Sequence, residues 1–228
     1  MADKIATLRK TSIFSTLDDS YLPEIADIAT EKKYRKNSVI FQKGDEGRSL
    51  FILKAGTAKI FLTDSDGKEI ILRMIHENEF FGEMSLLDGN FRSATVSTIE
   101  PCIALVILRK DFVKFLEKHP DTVFEIVAAL SRRLRSSDDK ISNLVFLNSY
   151  GKVASVLLDL ANTIGSTEGT SQVLNLPISR QELASMAGIT RETFVRILNE
   201  FQSRGCIRVE GKKIFILDEK IISRELSV

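Results

Sequence analysis

The first half of the chain alternates short apolar runs with glycines. Residues 1–30 carry apolar positions at helical spacing, which predicts short helices. From about residue 31 to 108 the runs are rich in Ile, Leu, Val and Phe, and Asp66-Gly67 between two of them is a hairpin signal. The strands predicted from these runs are 39–41, 50–53, 57–62, 70–75, 94–99 and 103–108. Many short strands with glycine turns predict an antiparallel barrel or roll.

Residues 110–147 are predicted to form one long helix with a narrow apolar stripe. The stripe has the 4-3 spacing of a coiled coil, with Ser137 at the position between Leu134 and Ile141. Its apolar members are Val123, Val127, Leu130, Leu134, Ile141 and Leu144. Charged residues flank the stripe, which favours a dimeric coiled coil over the alternative of a single helix packed on the barrel.

Residues 149–228 contain the signals of a helix-turn-helix. Ser179-Arg180-Gln181-Glu182 has the form of a capping box and begins a first helix. Gly188 supplies the helix stop and Thr190 caps a second helix, so two short helices are joined by a glycine-containing turn. The segments around this motif are a helix over 150–163, a Gly/Ser/Thr stretch over 165–171 and a hairpin over 207–216.

The second helix of the motif has an apolar face and a polar face. The apolar face is made by Phe194, Ile197, Leu198 and Phe201. The opposite face is made by Arg191, Glu192, Val195, Arg196 and Asn199. Arg can donate two hydrogen bonds to guanine and Glu can accept one from cytosine, so this face suits base reading in the major groove. Basic residues of the hairpin are within reach of phosphates in such a complex. Solvated surfaces are the alternative for both elements.

Composition and charge narrow the classes of function. The net charge is only +1, so composition alone does not indicate a nucleic-acid ligand. Cys102 and Cys206 lack metal or disulfide spacing, and His76 and His119 are expected to be surface or turn residues rather than haem ligands. No signal peptide and no run of about 18 apolar residues is found, so a cytoplasmic protein with no membrane partner is expected. No catalytic constellation and no metal site is expected either.

The most specific string is Phe-Gly-Glu-Met-Ser-Leu-Leu at 81–87, followed by Arg92-Ser93-Ala94. Gly82 permits close approach of a ligand, and a helical turn after it would offer free N–H groups to an anion. Arg92 has a donor fork suited to phosphate, and Glu83 can accept hydrogen bonds from a ribose hydroxyl. A structural Glu83–Arg92 ion pair is the alternative, and the residues alone leave both interpretations open.

Both motifs resemble a known family in the expected order. The string at 81–96 resembles the phosphate-binding cassette of cyclic-nucleotide-binding domains, and residues 132–147 and 179–198 resemble the dimer helix and DNA-reading motif of the CRP/FNR family. The resemblance covers about residues 10–220. It implies an α+β protein with an antiparallel β-roll, a dimerisation helix and a winged helix-turn-helix. The corresponding domains are 1–109, 110–148 and 149–228.

The resemblance also implies a ligand site. Arg92 and Ser93 would hold a cyclic phosphate, and Glu83 would hold the ribose 2′-hydroxyl. The residues that complete the implied site are Gly82, Met84 and Ala94 in the cassette and Ser137 and Asp138 on the dimer helix. Asp138 departs from the family pattern, because a carboxylate accepts hydrogen bonds but cannot donate them. The resemblance implies cyclic AMP as the ligand, and the carboxylate at Asp138 leaves cyclic GMP or a cyclic dinucleotide as alternatives.

A DNA site follows from the same resemblance. Arg191, Glu192 and Arg196 would read bases of a TGTGA-like half-site. The remaining members of the implied interface are Ser179, Arg180, Gln181 and Thr193. The expected partners are a palindromic double-stranded operator, a second copy of the chain and RNA polymerase. The rival functions are a ligand-independent regulator, a module that gates a channel or kinase, and an enzyme; the missing membrane, kinase and catalytic signals count against the last two.

Overall fold

The computed structural model describes residues 1–168, 171–175 and 177–226. The chain folds as two compact units. The first comprises Met1–Asp66 and Leu72–Arg135, and the second comprises Gly67–Ile71 and Ser136–Val228. The mixed helix and sheet content confirms the predicted α+β class.

The first unit begins with the short helices that the sequence predicts. They are α1 (Ala2–Lys10), a 3₁₀ turn (Asp19–Tyr21) and α2 (Leu22–Ile28). Eight strands follow along the chain: β1 (Ala29–Tyr34), β2 (Val39–Phe41), β3 (Ser49–Ala55), β4 (Ala58–Thr63), β5 (Glu69–Ile75), β6 (Phe80–Phe81), β7 (Thr95–Thr98) and β8 (Cys102–Leu108). The start of β5, as far as Ile71, belongs to the second unit. Helix α3 (Glu83–Asp88) lies between β6 and β7. The six predicted strands are therefore confirmed.

These strands form two four-stranded sheets among the described residues, with orders β1-β8-β3-β6 and β2-β7-β4-β5. The registered pairs are antiparallel, which confirms the predicted roll. Strands β1 and β6 were not predicted. Thr30–Lys33 are polar and solvent-exposed, so the sequence of β1 shows no alternation of apolar and polar residues. Strand β1 forms because its backbone pairs with β8, from Ala29 opposite Ile107 to Tyr34 opposite Cys102. Strand β6 contains only two residues.

The prediction of one helix over 110–147 is wrong. The segment forms α4 (Arg109–Lys118) and α5 (Thr122–Phe146). Pro120 explains the break, because its ring excludes the helical conformation at the preceding residue; His119 accordingly has φ −128° and ψ 67°. His119 is a turn residue as expected, but it is largely buried between the rings of Tyr21 and Phe115.

The predicted apolar stripe lies on α5 and is largely exposed in the single chain. Leu134 and Ile141 are 64% and 60% exposed, and Val127 is also exposed. Val123, at the start of the stripe, is also exposed, whereas Ile126 and Ala129, which lie off the stripe, are buried in the core of the first unit. A stripe left open to solvent over several turns favours a partner for this helix.

The second unit contains four further helices and a sheet among its described residues. The helices are α6 (Ser149–Ile164), α7 (Arg180–Ala187), α8 (Arg191–Ser203) and α9 (Glu219–Arg224). The strands are β9 (Ser166–Glu168), β10 (Ser171–Asn175), β11 (Ile207–Glu210) and β12 (Lys213–Ile216), in the order β11-β12-β10-β9. The hairpin at 207–216 is confirmed.

The Gly/Ser/Thr stretch at 165–171 is not simply a loop, because β9 and the start of β10 lie in it. Gly169 and Thr170 of that stretch lie outside the described residues. Strand β10 pairs with β12 from Gln172 opposite Ile216 to Asn175 opposite Lys213, and its Val173 is buried. The pairing is long-range, so composition at 165–171 did not reveal it. In the described ranges no helix is long and apolar enough to cross a membrane.

Candidate ligand-binding cassette and nucleic-acid interface

Gly82 marks the start of the cassette and adopts a left-handed conformation, with φ +78°. A Cβ added to it would lie 2.6 Å from Nη1 of Arg92 and 3.2 Å from the Ser49 carbonyl oxygen. The backbone angle and the Arg92 side chain both require glycine here. Close approach of a ligand to this glycine stays a prediction. Helix α3 then begins at Glu83, so the predicted helical turn is confirmed.

The Arg92 guanidinium is buried, with the residue only 5% exposed. Its Nη1 donates to the Gly82 carbonyl at 2.7 Å and to Ser85 Oγ at 2.8 Å, and its Nη2 donates to the Ser49 carbonyl at 2.8 Å. The guanidinium also lies 4.2 Å from the ring centre of Phe41. Burial lowers its pKa, but an arginine keeps its charge.

One nitrogen of the Arg92 guanidinium makes no hydrogen bond to the described residues. Its Nε is buried and has no hydrogen-bond partner within the part of the chain that the structure describes. The two terminal nitrogens are occupied by neutral oxygens only. A buried cation with neutral partners gains most from an anion, because charge-assisted hydrogen bonds are shorter and stronger. The arrangement is therefore chemically suited to exchange some of these oxygens for a phosphate.

Glu83 does not form the ion pair with Arg92 that the sequence left open. Its Oε1 lies 2.6 Å from Nη1 of Arg133 on α5, and the Glu83 side chain is only 7% exposed. Arg133 also donates from Nη2 to the Phe80 carbonyl at 2.6 Å and lies over the Phe80 ring at 3.9 Å. The alternative of a Glu83–Arg92 pair is wrong because Arg133 takes that place.

Arg133 was not predicted as a site residue. In the sequence it is one of the charged residues that flank the apolar stripe. Its position four residues before Ser137, on the same side of the helix, is the signal that could have placed it near the site. Contact with Glu83 could not be read from this spacing, since the two residues are fifty positions apart in the chain.

The structure brings five predicted cassette residues to one place. Gly82, Glu83 and Met84 lie at the start of α3, and Arg92 and Ser93 face them, with Ser93 Oγ 3.7 Å from Met84 Sδ. Ser93 and Met84 are exposed, whereas the adjacent Ala94 is buried. Ser137 and Asp138 are exposed on α5 in the second unit. Their contact with a ligand stays a prediction.

The helix-turn-helix has the predicted local chemistry. Ser179 Oγ accepts from the Glu182 N–H at 3.2 Å, and Glu182 Oε2 accepts from the Ser179 N–H at 2.7 Å, which completes the capping box. Gly188 ends α7 with φ +65°, and Thr190 Oγ1 accepts from the Thr193 N–H at 3.2 Å. Ala184 is fully buried in α7. The prediction of this motif is confirmed.

Helix α8 presents the predicted faces. Phe194, Ile197, Leu198 and Phe201 are buried. Arg191, Glu192 and Arg196 are exposed, which base reading requires. Arg196 is nevertheless engaged: its Nη1 donates to Glu200 Oε1 at 2.8 Å and to Tyr150 Oη at 3.3 Å. Tyr150 and Glu200 were not predicted as site residues, and the sequence offers only the i,i+4 spacing of Arg196 and Glu200 as a signal.

The remaining predicted DNA contacts lie around the helix start. Ser179 and Gln181 are exposed, although the Ser179 hydroxyl is used by the capping box. Arg180 is half-buried, burial lowers its pKa, and its Nη2 lies 3.3 Å from the Gly211 carbonyl of the hairpin turn. Thr193 is half-buried, with its hydroxyl 3.0 Å from that of Thr190. Arg180 thus links α7 to the hairpin.

Comparison with known proteins defines the class. Residues 31–119 match the family model of the cyclic nucleotide-binding domain, and residues 151–224 match that of the Crp-like helix-turn-helix domain. The two modules together define a ligand-responsive, DNA-binding transcription regulator. The chain is 34% identical over 185 residues to the cAMP-activated global transcriptional regulator CRP of Pasteurella multocida (strain Pm70), which covers 81% of this chain and 88% of that protein.

Solved structures of transcription regulators have a similar fold. FixK2 from Bradyrhizobium japonicum matches with a TM-score of 0.80 and 21% identity, covering 88% of this chain and 98% of that chain, which supports the fold. The c-di-GMP responsive global regulator CLP of Xanthomonas campestris matches with a TM-score of 0.75 and 25% identity, covering 87% of this chain and 99% of that chain. This chain belongs to the CRP/FNR family and is a cyclic-nucleotide-responsive regulator of transcription. The relative from Pasteurella multocida is a regulator of transcription.

Proposed function

We propose that this protein binds cyclic AMP in the cassette at 82–94 and, as a homodimer, binds a palindromic operator with TGTGA-like half-sites. One observation carries the ligand site: the buried Arg92 cation and the buried Glu83 carboxylate converge on the start of α3. A cation beside a helix start suits the cyclic phosphate, and a carboxylate suits the ribose hydroxyl. The cAMP-activated regulator of Pasteurella multocida supports cyclic AMP as the nucleotide.

Ligand binding would exchange partners at Arg92. The phosphate would replace neutral oxygens by charge-assisted hydrogen bonds, and Ser93, exposed beside Met84, would add a hydroxyl donor. The base would reach Ser137 and Asp138 on the dimer helix. A ligand shifts the arrangement of the dimer only by its differential affinity for the two states.

The DNA half of the proposal rests on α8. Arg191 and Glu192 lie exposed in its first turn, where a recognition helix contacts base edges. The exposed apolar stripe of α5 would form the interface between the two copies of the chain. The domain boundaries at residues 109 and 148 stay predictions. Such a regulator acts on DNA in the cytoplasm, and contact with RNA polymerase is a further prediction.

Calorimetric titration of the purified protein with cyclic AMP tests the ligand. Binding in the micromolar range that is lost in Arg92→Ala is expected. Unchanged affinity in Arg92→Ala would show that the assigned site is wrong. If wild-type protein releases no heat and retains no nucleotide at equilibrium dialysis, cyclic AMP is not the ligand.

Two alternative candidates share this fold, and separate observations favour each of them. Asp138 is acceptor-only and could pair with the N1–H and amino group of guanine, which favours cyclic GMP or a cyclic dinucleotide, and the CLP regulator is described as c-di-GMP responsive. Separately, the terminal nitrogens of Arg92 are already satisfied by protein oxygens, which favours a ligand-independent regulator. Titration with each nucleotide, and operator binding without any, separates these candidates.

A further inference from the structure

Tyr150, Arg196 and Glu200 form a closed hydrogen-bond network beside the proposed recognition face. Arg196 Nη1 donates to Glu200 Oε1 at 2.8 Å and to Tyr150 Oη at 3.3 Å. The Tyr150 hydroxyl donates in turn to the second carboxylate oxygen, Oε2 of Glu200. We call Tyr150 and Glu200, which together hold Arg196, the Tyr150–Glu200 clamp. Each oxygen of Glu200 thus has its own donor.

The tyrosine side of the clamp is fixed by the core of the second unit. Tyr150 lies in the first turn of α6, where the Asn148 side chain accepts from its N–H at 2.9 Å. Its ring meets the fully buried ring of Phe201 edge-on, with centroids 6.3 Å apart. The hydroxyl is therefore a rigid reference point from which Glu200 and Arg196 are held.

The clamp does not act mainly on stability. The side chains of Arg196 and Glu200 are both more than a third exposed, and exposed pairs at i,i+4 contribute little to folding. Its effect is on orientation. A free arginine loses much rotamer freedom when it binds a base, whereas one held through Nη1 has already lost part of it. Nε and Nη2 remain as donors for a base edge.

We propose that Tyr150 and Glu200 are positioning residues for base recognition, which fix the Arg196 guanidinium before the DNA arrives. This inference rests on the proposed function, in which Arg196 reads a base. The two residues set how strongly one base pair of the half-site is discriminated, without contacting DNA bases themselves.

The test uses the protein of residues 1–228 with cyclic AMP and an operator selected from random DNA by the wild-type protein. The dissociation constant is measured for every single-base-pair variant of the half-site. The position at which Arg196→Ala loses discrimination is the base pair of Arg196. Tyr150→Phe keeps the ring and removes the hydroxyl, and Tyr21→Phe is the matched control, because the Tyr21 hydroxyl contacts Asp121 in the first unit.

Tyr150→Phe is expected to reduce discrimination roughly 3- to 10-fold at the Arg196 base pair and at no other. The double variant with Tyr150→Phe and Arg196→Ala should discriminate between base pairs no worse than Arg196→Ala alone, because both changes act on the same interaction of Arg196 with the base. Glu200→Gln, at an exposed position, should reduce discrimination at the same base pair. Tyr21→Phe should match the wild type.

Three outcomes overturn the inference. Wild-type discrimination in Tyr150→Phe and Glu200→Gln, with loss in Arg196→Ala, would refute the clamp and leave the proposed function intact. An equal loss at all base pairs would show a general structural defect rather than positioning. Full discrimination in Arg196→Ala would remove Arg196 from the proposed base readers, and the inference would fail with it.

Discussion

The Glu83 carboxylate lies 2.6 Å from the Arg133 guanidinium, so the residue expected to hold the ribose is tied to helix α5. Arg133 is further held by the Phe80 carbonyl and ring. If a ligand hydroxyl binds Glu83 as proposed, it changes the surroundings of a cation on α5, the helix that carries the apolar stripe. This contact gives the proposed ligand a direct physical route to α5.

Loss of the Glu83 carboxylate is predicted to destabilise the fold. Glu83→Ala would remove the carboxylate that pairs with the largely buried Arg133 guanidinium, and it should lower the free energy of unfolding, measured with urea at pH 7, by about 3 kcal/mol. Glu210→Ala is the control, because it removes a carboxylate from an exposed pair with Arg208, and it should cost less than about 1 kcal/mol. Equal effects of the two changes would contradict the importance of the Glu83–Arg133 pair.

Gly82→Ala is predicted to damage both stability and ligand binding. The left-handed backbone costs about 1–2 kcal/mol with any Cβ, and this Cβ would displace the Arg92 guanidinium. Gly67→Ala shares the positive φ, at +80°, but a Cβ there meets nothing within 4 Å. Thermal unfolding should shift in both variants, while calorimetry should show weaker nucleotide binding in Gly82→Ala alone. Normal affinity in Gly82→Ala would argue against the role of Arg92.

Arg191→Ala is predicted to weaken recognition of one guanine by about 1–3 kcal/mol. Its side chain is exposed at the start of α8, where base edges are contacted. Fluorescence anisotropy with the operator and with random DNA measures the effect, and affinity for both should fall as salt rises. The same loss on both DNAs would mean that Arg191 contacts phosphates instead of a base.

Leu134→Asp is predicted to dissociate the dimer. Leu134 is largely exposed in the single chain, and a carboxylate at the seam would be buried without a partner. Sedimentation should show dimerisation weakened about 100-fold or more. Phe146→Asp is the control, since Phe146 is similarly exposed on α5 but lies off the stripe. A dimer that tolerates Asp at position 134 would place the interface elsewhere.

Stability is predicted to fall at alkaline pH through Cys102. Burial raises the pKa of this thiol to about 11, whereas an unfolded thiol titrates near its ordinary value of about 8.5. The folded state therefore holds the proton that the unfolded state loses, so this contribution is full below pH 8.5 and is lost towards pH 11. The free energy of unfolding should drop by about 2 kcal/mol by pH 10.5.

Comparison of two variants isolates the Cys102 contribution. Cys102→Ala should flatten the decline measured by urea unfolding between pH 8 and 10.5. Cys206→Ala retains Cys102 and should keep most of it, although burial also raises the pKa of the Cys206 thiol. The assignment fails when all three proteins show the same slope.

Features that depend on near neighbours can be predicted from the residues alone. The capping box of Ser179 and Glu182, the Gly188 helix stop and the buried face of α8 follow from residues within one or two turns of each other. The break between α4 and α5 at Pro120 is equally local. The strands bounded by glycine turns and the apolar stripe were also visible, because they repeat at the period of their element.

Which distant groups meet depends on how the whole chain folds. Strand β1 exists because β8 pairs with it, and Arg92 finds its oxygens at Ser49, Gly82 and Ser85. Glu83 selects Arg133 rather than Arg92, and Arg196 is held by Tyr150, forty-six positions away. These partners depend on how the chain folds back on itself. The charge and size of a residue indicate which kind of partner it needs, but they do not predict which distant residue will be that partner.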